Sequence, residues 1–191
     1  MAHNSKEFIE KITDIFARQN VIAPDEAAVM HKAFEDSDSD DFVEFLIDEG
    51  FIDTTRMLTA LGLYYQVPSF DVEGYFFEHN VLHEFPKDFL LRNEIIPLER
   101  DKNMLIVVAA EPDNDELLPA IGEHVSYDIR FLVGIARNIC DAVEEFYDRA
   151  VTEVPMDEDR REEQELALEE HKIELSDDDE FVQYEEDTDE D

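Results

Sequence analysis

The chain offers few residues whose types and spacing could carry chemistry. His79 and His83 stand four apart with Glu78 and Glu84 beside them, a spacing that could hold a metal ion on one face of a helix. The intervening Asn80-Val81-Leu82 is a weak helix former, so the pair reads as chance spacing and no metal site is expected. Cys140 is the sole cysteine, which excludes an internal disulfide framework and reads as a small apolar residue on a helix. The sequence contains no G-x-S-x-G, C-x-x-C or H-E-x-x-H pattern. Nor does it contain G-x-x-x-x-G-K-[ST], and it has five glycines in all, too few for a loop whose backbone must approach phosphates closely. Its many carboxylate pairs read as solvated faces. The expectation is a protein that is not an enzyme and carries no cofactor.

Charge narrows the field of partners. The formal net charge is −37, from 52 acidic and 15 basic side chains. Attraction to nucleic acid or to an anionic membrane is therefore excluded, and a protein partner with a basic surface is favoured. No apolar run approaches the roughly 18 residues of a membrane span, so direct membrane insertion is not expected, and a reduced, cytoplasmic setting fits. The charge is uneven: Glu153–Asp191 holds 20 acidic and 3 basic residues, a net −17. Inside this acidic stretch lies Phe181-Val182-Gln183-Tyr184. Apolar residues framed by acidic ones suit a segment that orders on binding, which makes Phe181, Val182 and Tyr184 candidate partner-binding residues. The competing reading is a tail that serves solubility alone. A third is an acidic mimic occupying a basic nucleic-acid site on a partner.

The elements that would position such residues begin with a duplication. In Asp41–Pro68, Phe42, Phe45, Leu46 and Ile47 recur at helical spacing. Gly50 interrupts, and Met57, Leu58, Leu61 and Tyr65 form a second apolar run. The reading is helix, tight turn, helix, with Gly50 in a left-handed conformation, Asp53 or Thr54 as the cap of the second helix, and Val67-Pro68 as its end. Lys11–Phe34 repeats the grammar: Ile12, Ile15 and Phe16 align with Phe42, Phe45 and Leu46, and Asn20 stands where Gly50 stands. Asparagine tolerates positive φ best after glycine. Pro24 suits the first turn of a helix, and Glu35–Asp40 forms an acidic linker.

Later segments alternate in type. Short strands are expected at Ser69–Val72, Glu94–Leu98, Met104–Ala109 and His124–Ile129, with Phe131–Val133 as an extension. A turn is expected at Glu99–Asn103, and helices over Pro86–Leu91, Asp115–Ile121 and from about Gly134 to Ala150. Tyr75-Phe76-Phe77 reads as a packed aromatic patch. The fold class is α+β: duplicated helical hairpins over 1–68, a small α/β sheet subdomain over 69–150, and a largely disordered acidic tail over 151–191.

The tandem pattern, the Val67-Pro68 that closes it, and the later Phe85-Pro86, Ile95-Ile96-Pro97-Leu98 and Glu111-Pro112-Asp113 resemble the N-terminal domain of the ATPases that drive type II secretion and type IV pilus assembly. The resemblance runs to about Ala150. It implies a relative without the ATPase domain, acting as an adaptor or regulator in bacterial secretion, pilus or motility machinery, with a motor or platform component as partner. Members of that family also bind cyclic di-GMP on the duplicated hairpins, through an Arg-Leu-Gly opening and a closing Gln in each repeat. Carried over, the alternative site comprises Lys11, Ile12, Leu46 and Gly50. The openings here are Lys11-Ile12-Thr13 and Asp41-Phe42-Val43, and the closing Gln positions hold Phe34 and Tyr64. Lysine lacks a guanidinium's planar fork, Asp41 repels a dianion, and Thr13 and Val43 add side chains where glycine leaves room. The hairpin-building half of the motif is kept, and the ligand-binding half is altered.

Overall fold

A computed structural model of the chain describes residues 2–23 and 25–148; Pro24 and the whole acidic stretch from 149 onward, including Phe181, Val182 and Tyr184, lie outside the described residues. After a single 3-10 turn at Ala2–Asn4, four helices form the two expected hairpins: α1 (Lys6–Arg18), α2 (Glu26–Glu35), α3 (Phe42–Asp48) and α4 (Thr54–Tyr65). Side-chain oxygens satisfy otherwise orphaned N–H groups at three of their starts. Ser5 accepts from Phe8 N–H at 3.1 Å, Asp41 from Glu44 N–H at 2.9 Å and Asp53 from Arg56 N–H at 2.9 Å.

The duplication extends to the turns. Asn20 has φ 56° and Gly50 φ 71°. In each case the left-handed residue donates its N–H to the carbonyl three positions back, Asn20 to Ala17 at 3.1 Å and Gly50 to Ile47 at 3.0 Å, the bond that ends a helix in this motif. A Cβ at Gly50 would meet nothing within 4 Å, so the glycine is there for its φ alone. The apolar stripes of the four helices close a shared core in which Phe8, Ile12, Phe16, Phe42, Leu46, Met57 and Leu61 are fully buried.

The second half is built on a three-stranded sheet in the order β1 (Ile95–Asp101), β2 (Met104–Ala109), β3 (Asp128–Val133), with β1 antiparallel and β3 parallel to β2. Before it come α5 (His79–Leu82) and α6 (Lys87–Asn93). The segment α7 (Leu117–Gly122) lies in the crossover from β2 to β3, as a parallel pair requires, and α8 (Ala136–Tyr147) follows. Leu105 to Ala109 are all buried, which is why that strand is an unbroken apolar run. Gly134, between β3 and α8, permits a close approach: a Cβ there would lie 2.5 Å from Val108 Cγ1 and 3.1 Å from Ile139 Cδ1. The sheet also enters the helical core, since Val133 and Ile135 belong to the same buried cluster as α1–α4.

Several boundaries differ from expectation. Ser69–Val72 is not a strand. Ser69 makes one isolated parallel bridge to Val133, after which Gly74 at φ 75° leads the chain away. β1 continues through Glu99-Arg100-Asp101, shrinking the expected turn to Lys102-Asn103, with Lys102 at φ 53°. Polar residues on a solvent-facing strand end look like loop in sequence, yet Arg100 is anchored there by Glu84 and Tyr127. β3 begins at Asp128 rather than His124, because Val125 N–H is drawn back to Ile121 O at 3.1 Å. His79–Leu82 forms one helical turn where the sequence favoured none.

The turn chemistry predicts unequal effects for two substitutions. Gly50→Ala should cost about 1–2 kcal/mol, the penalty of a Cβ at left-handed φ, whereas Asn20→Gly should leave stability within a few tenths of a kcal/mol. Urea denaturation of the two variants beside the wild type measures both.

Candidate functional site

The hairpin positions singled out by the resemblance fall into two groups. Ile12 and Leu46 are fully buried, Val43 and Thr13 nearly so, and all four face the core. The Thr13 hydroxyl donates to Ile9 O at 2.7 Å and lies 3.2 Å from His31 Nε2, so it is satisfied inside the helix pair. Phe34, at a closing position, packs edge-on against Phe42 with ring centroids 5.1 Å apart. Gly50 sits in its exposed turn. Apart from Gly50, these positions are committed to packing between the helices.

Lys11, Tyr64 and Asp41 do reach the surface, around the C-terminal end of α4. Lys11 Nζ lies 2.7 Å from Glu7 Oε1 and 5.9 Å from the centre of the Tyr64 ring. The hydrogen bond between the pair, more than its Coulomb attraction, raises the Lys11 ammonium and lowers the Glu7 carboxyl. Both groups are solvated, so the pair is a modest contact.

Asp41 sits in a tighter setting that sequence reasoning missed. His3, nearly fully buried, places Nδ1 3.1 Å from Asp41 Oδ2 and Nε2 3.0 Å from the Tyr65 hydroxyl. With Nδ1–H donating to the carboxylate, Nε2 is left to accept from Tyr65. Burial opposes the charge on Asp41, but the bonds from His3 and from the Glu44 and Val43 N–H groups outweigh it and hold the carboxyl below its ordinary range. Burial, then the carboxylates of Asp113 and Glu111, raises the Tyr65 hydroxyl. The His3 ring also lies 4.6 Å from Phe8, and Phe8 lies edge-on to Tyr64 at 4.9 Å. Asp41 is thus both a helix cap and the anchor of the N-terminal turn. The signal for His3 in the sequence is slight: one histidine in a polar lead before the first apolar stripe.

Beside this cluster, between α1 and α2, lies a cavity of about 480 Å³ whose walls include Lys6, Ile9, Glu10, His31 and Phe34. Its lysine stands 3.6 Å from Glu10, so the cavity offers no uncompensated cation for a phosphate. In α5 and the residue after it, His79 and His83 stack with ring centroids 3.9 Å apart, and His83 stacks on Tyr147 at 4.2 Å. His83 Nε2–H donates to Tyr147 O at 2.8 Å, the Tyr147 hydroxyl donates to Phe85 O at 2.9 Å, and Lys87 Nζ meets Asp148 at 2.6 Å. These contacts fasten the last turn of α8 to the α5–α6 segment, and Glu84 turns instead to Arg100. Among the described residues no group of three or more His, Cys, Asp or Glu side chains is placed to hold a metal ion. Cys140 is half-buried on α8, where burial first and the nearby carboxylates of Glu94 and Asp141 second push its thiol up to about 11. It is a poor nucleophile at neutral pH.

Residues 65–153, just under half of the chain, match the MshEN domain family. Type IV pilus assembly ATPase PilB of Myxococcus xanthus is 22% identical over 139 residues, which are 72% of this chain and 24% of that protein. The chain therefore spans about a quarter of that relative's length. Two solved structures share the fold: MshE with cdg, at 15% identity and TM-score 0.56, covering 71% of this chain and 98% of that one, and the N-terminal domain of XpsE, at 16% identity and TM-score 0.50, covering 72% and 94%. The chain shares the α+β fold of these two structures, and its similarity to the MshEN domain family lies in residues 65–153. No helix of the described residues is long and apolar enough to cross a membrane.

The Asp41 node makes a prediction about pH. A carboxyl that ionises below its unfolded value contributes stability above about pH 4, and the contribution is lost as pH falls through the folded value. Asp41→Asn keeps an acceptor for Glu44 N–H but removes the charge that His3 meets. It should cost about 1–2 kcal/mol at pH 7, and the difference from wild type should shrink steadily towards pH 3. Urea midpoints across that range measure it.

Proposed function

We propose that the chain is a non-enzymatic interaction module, an adaptor or regulator in secretion, pilus or motility machinery that works in the cytoplasm and captures a protein partner with a basic surface. The observation that carries this reading is the division of labour at the hairpins. Their core and left-handed turns are built and three of their four helix starts are capped, while the positions that would meet an anionic ligand do structural work. Asp41 caps α3 and holds His3, Thr13 is buried against His31, and Lys11 is paired with Glu7. A net charge of −37 favours basic partners and steers their approach. Phe181, Val182 and Tyr184 are proposed as the apolar anchors of the acidic stretch, with aromatic side chains supplying most of the contact energy. A motor or platform component of such a machine is the partner class that the family suggests.

The second reading is a cyclic di-GMP sensor, favoured by one observation: the structural neighbour MshE is solved with cdg. Lys11, Ile12, Leu46 and Gly50 would then form the remnant of its site. Calorimetric titration of the full chain with cyclic di-GMP at low salt separates the two. The adaptor reading expects no saturable heat at high micromolar ligand; saturable heat that Lys11→Ala abolishes would replace it with the sensor. In co-precipitation with the motor and platform proteins of the host's pilus or secretion system, capture should weaken steeply between low and moderate salt and fall again in the Phe181→Ala, Tyr184→Ala double variant. Capture indifferent to both changes would remove the acidic stretch from the account.

A further inference from the structure

Edge strands of a sheet expose unpaired backbone groups unless something blunts or covers them, and the two edges of this sheet differ. β1 carries Pro97 and a register shift between Pro97 and Glu99, devices that discourage further pairing. β3 has neither. Its even-numbered residues turn their backbone towards β2: Asp128 N–H reaches Asn103 O at 2.8 Å, and Gly134 N–H, next in the series, reaches Ala109 O at 3.1 Å. Its odd-numbered residues turn outward. Val133 is satisfied there, donating to Pro68 O and accepting from Phe70 N–H, both at 2.9 Å. The same alternation aims the N–H and C=O groups of Ile129 and Phe131 outward, and no described residue pairs with them. The flanking side chains run from exposed Asp128 to half-buried Ile129, Arg130 and Phe131.

We infer that the outer edge of β3, from Asp128 to Phe131, is a docking site for an extended basic segment of a protein partner, added to the sheet as a fourth strand. Three features support it. The edge already accepts an extended segment at its far end, where Pro68–Phe70 pairs with Val133, so its geometry is compatible with strand addition. The open stretch is about 13 Å long, enough to seat four residues. Charge selects the occupant, since a second copy would bring another −37 to the interface, whereas a lysine- or arginine-bearing strand brings the opposite sign. Backbone bonds to Ile129 and Phe131 would supply affinity, apolar residues of the incoming strand would cover the half-buried Ile129 and Phe131 side chains, and its basic residues would serve specificity. Every backbone group invoked here belongs to β3, so docking at this edge stands whether or not the acidic stretch beyond residue 148 captures a partner.

The test uses the full chain and a short fluorescein-labelled peptide in which Lys and Val alternate. Two controls accompany it: the same peptide N-methylated at alternate residues, and a version with Glu in place of Lys. Fluorescence anisotropy should rise saturably with the lysine peptide. It should weaken at least tenfold for the N-methylated peptide, which keeps the charge and loses the donors, and vanish for the glutamate peptide. Ile129→Pro removes an outward N–H from an edge position that tolerates proline and should weaken the lysine peptide at least tenfold; Phe131→Lys, which leaves the backbone intact, should weaken it by repulsion, with circular dichroism checking that both variants fold. Equal binding of the N-methylated and unmodified peptides would overturn strand addition, and equal binding of the glutamate peptide would overturn the basic occupant. Sedimentation equilibrium showing a dimer that Ile129→Pro dissolves would assign the edge to a second copy and end the proposal.

Discussion

The structure depends on one shared packing event: the end of β3 entering the core of the helical hairpins. Val133 does three things at once. It closes the parallel ladder with Ala109, bridges to Ser69, and buries its side chain among the apolar stripes of α1–α4 together with Ile135. Hydrophobic burial is non-directional, so the helices alone could accept many partners. The backbone bonds at Pro68 and Phe70 give the contact a register. Gly134 then lets the chain pass Val108 closely enough for α8 to begin. Sheet and hairpins are thereby fixed by a few residues far apart in the sequence.

Electrostatics pulls against this compactness. A chain this acidic repels itself, and local clusters show how the repulsion is handled. Burial first, then the Asp41 charge, raises the Glu44 carboxyl, while the nearby Arg137 lowers it. Arg137 spans from α8 to α3, where Nη1 lies 2.8 and 2.9 Å from the two Asp48 oxygens. Glu94 is likewise raised by burial and by Glu111. In these half-buried acidic groups burial disfavours the charged form, and at Glu44 the nearby Arg137 offsets part of that cost. What this leaves for a partner is a field rather than a pocket. Such a field sets encounter rate and sign preference before any specific contact forms.

Much of the architecture could be read from residue spacing because it depends on local rules. The hairpins were legible from apolar periodicity and from Asn20 and Gly50, whose backbone angles follow the reading. The β2 strand was legible from its unbroken apolar run. What stayed hidden was set by distant partners. Nothing in Glu99-Arg100-Asp101 announces a strand until Glu84 and Tyr127 arrive to hold Arg100. Nothing in Ser69–Val72 says that only one residue will pair. The hairpin site was half legible: the sequence placed Asp41 at the opening of the second repeat and gave its cost to an anion, but not its bond to His3. That bond joins residues 38 apart and needs the fold before it can be seen.

The fastening of α8 has a mechanical meaning. His83, Tyr147 and Lys87 tie the last residues of that helix to the α5–α6 segment through contacts of 2.8, 2.9 and 2.6 Å. A pull on the chain at Asp148 is therefore borne in shear by three short bonds, and passes into the flank of β1 that α5 and α6 cover. A second link, Arg137 to Asp48, joins the other end of α8 to the hairpins.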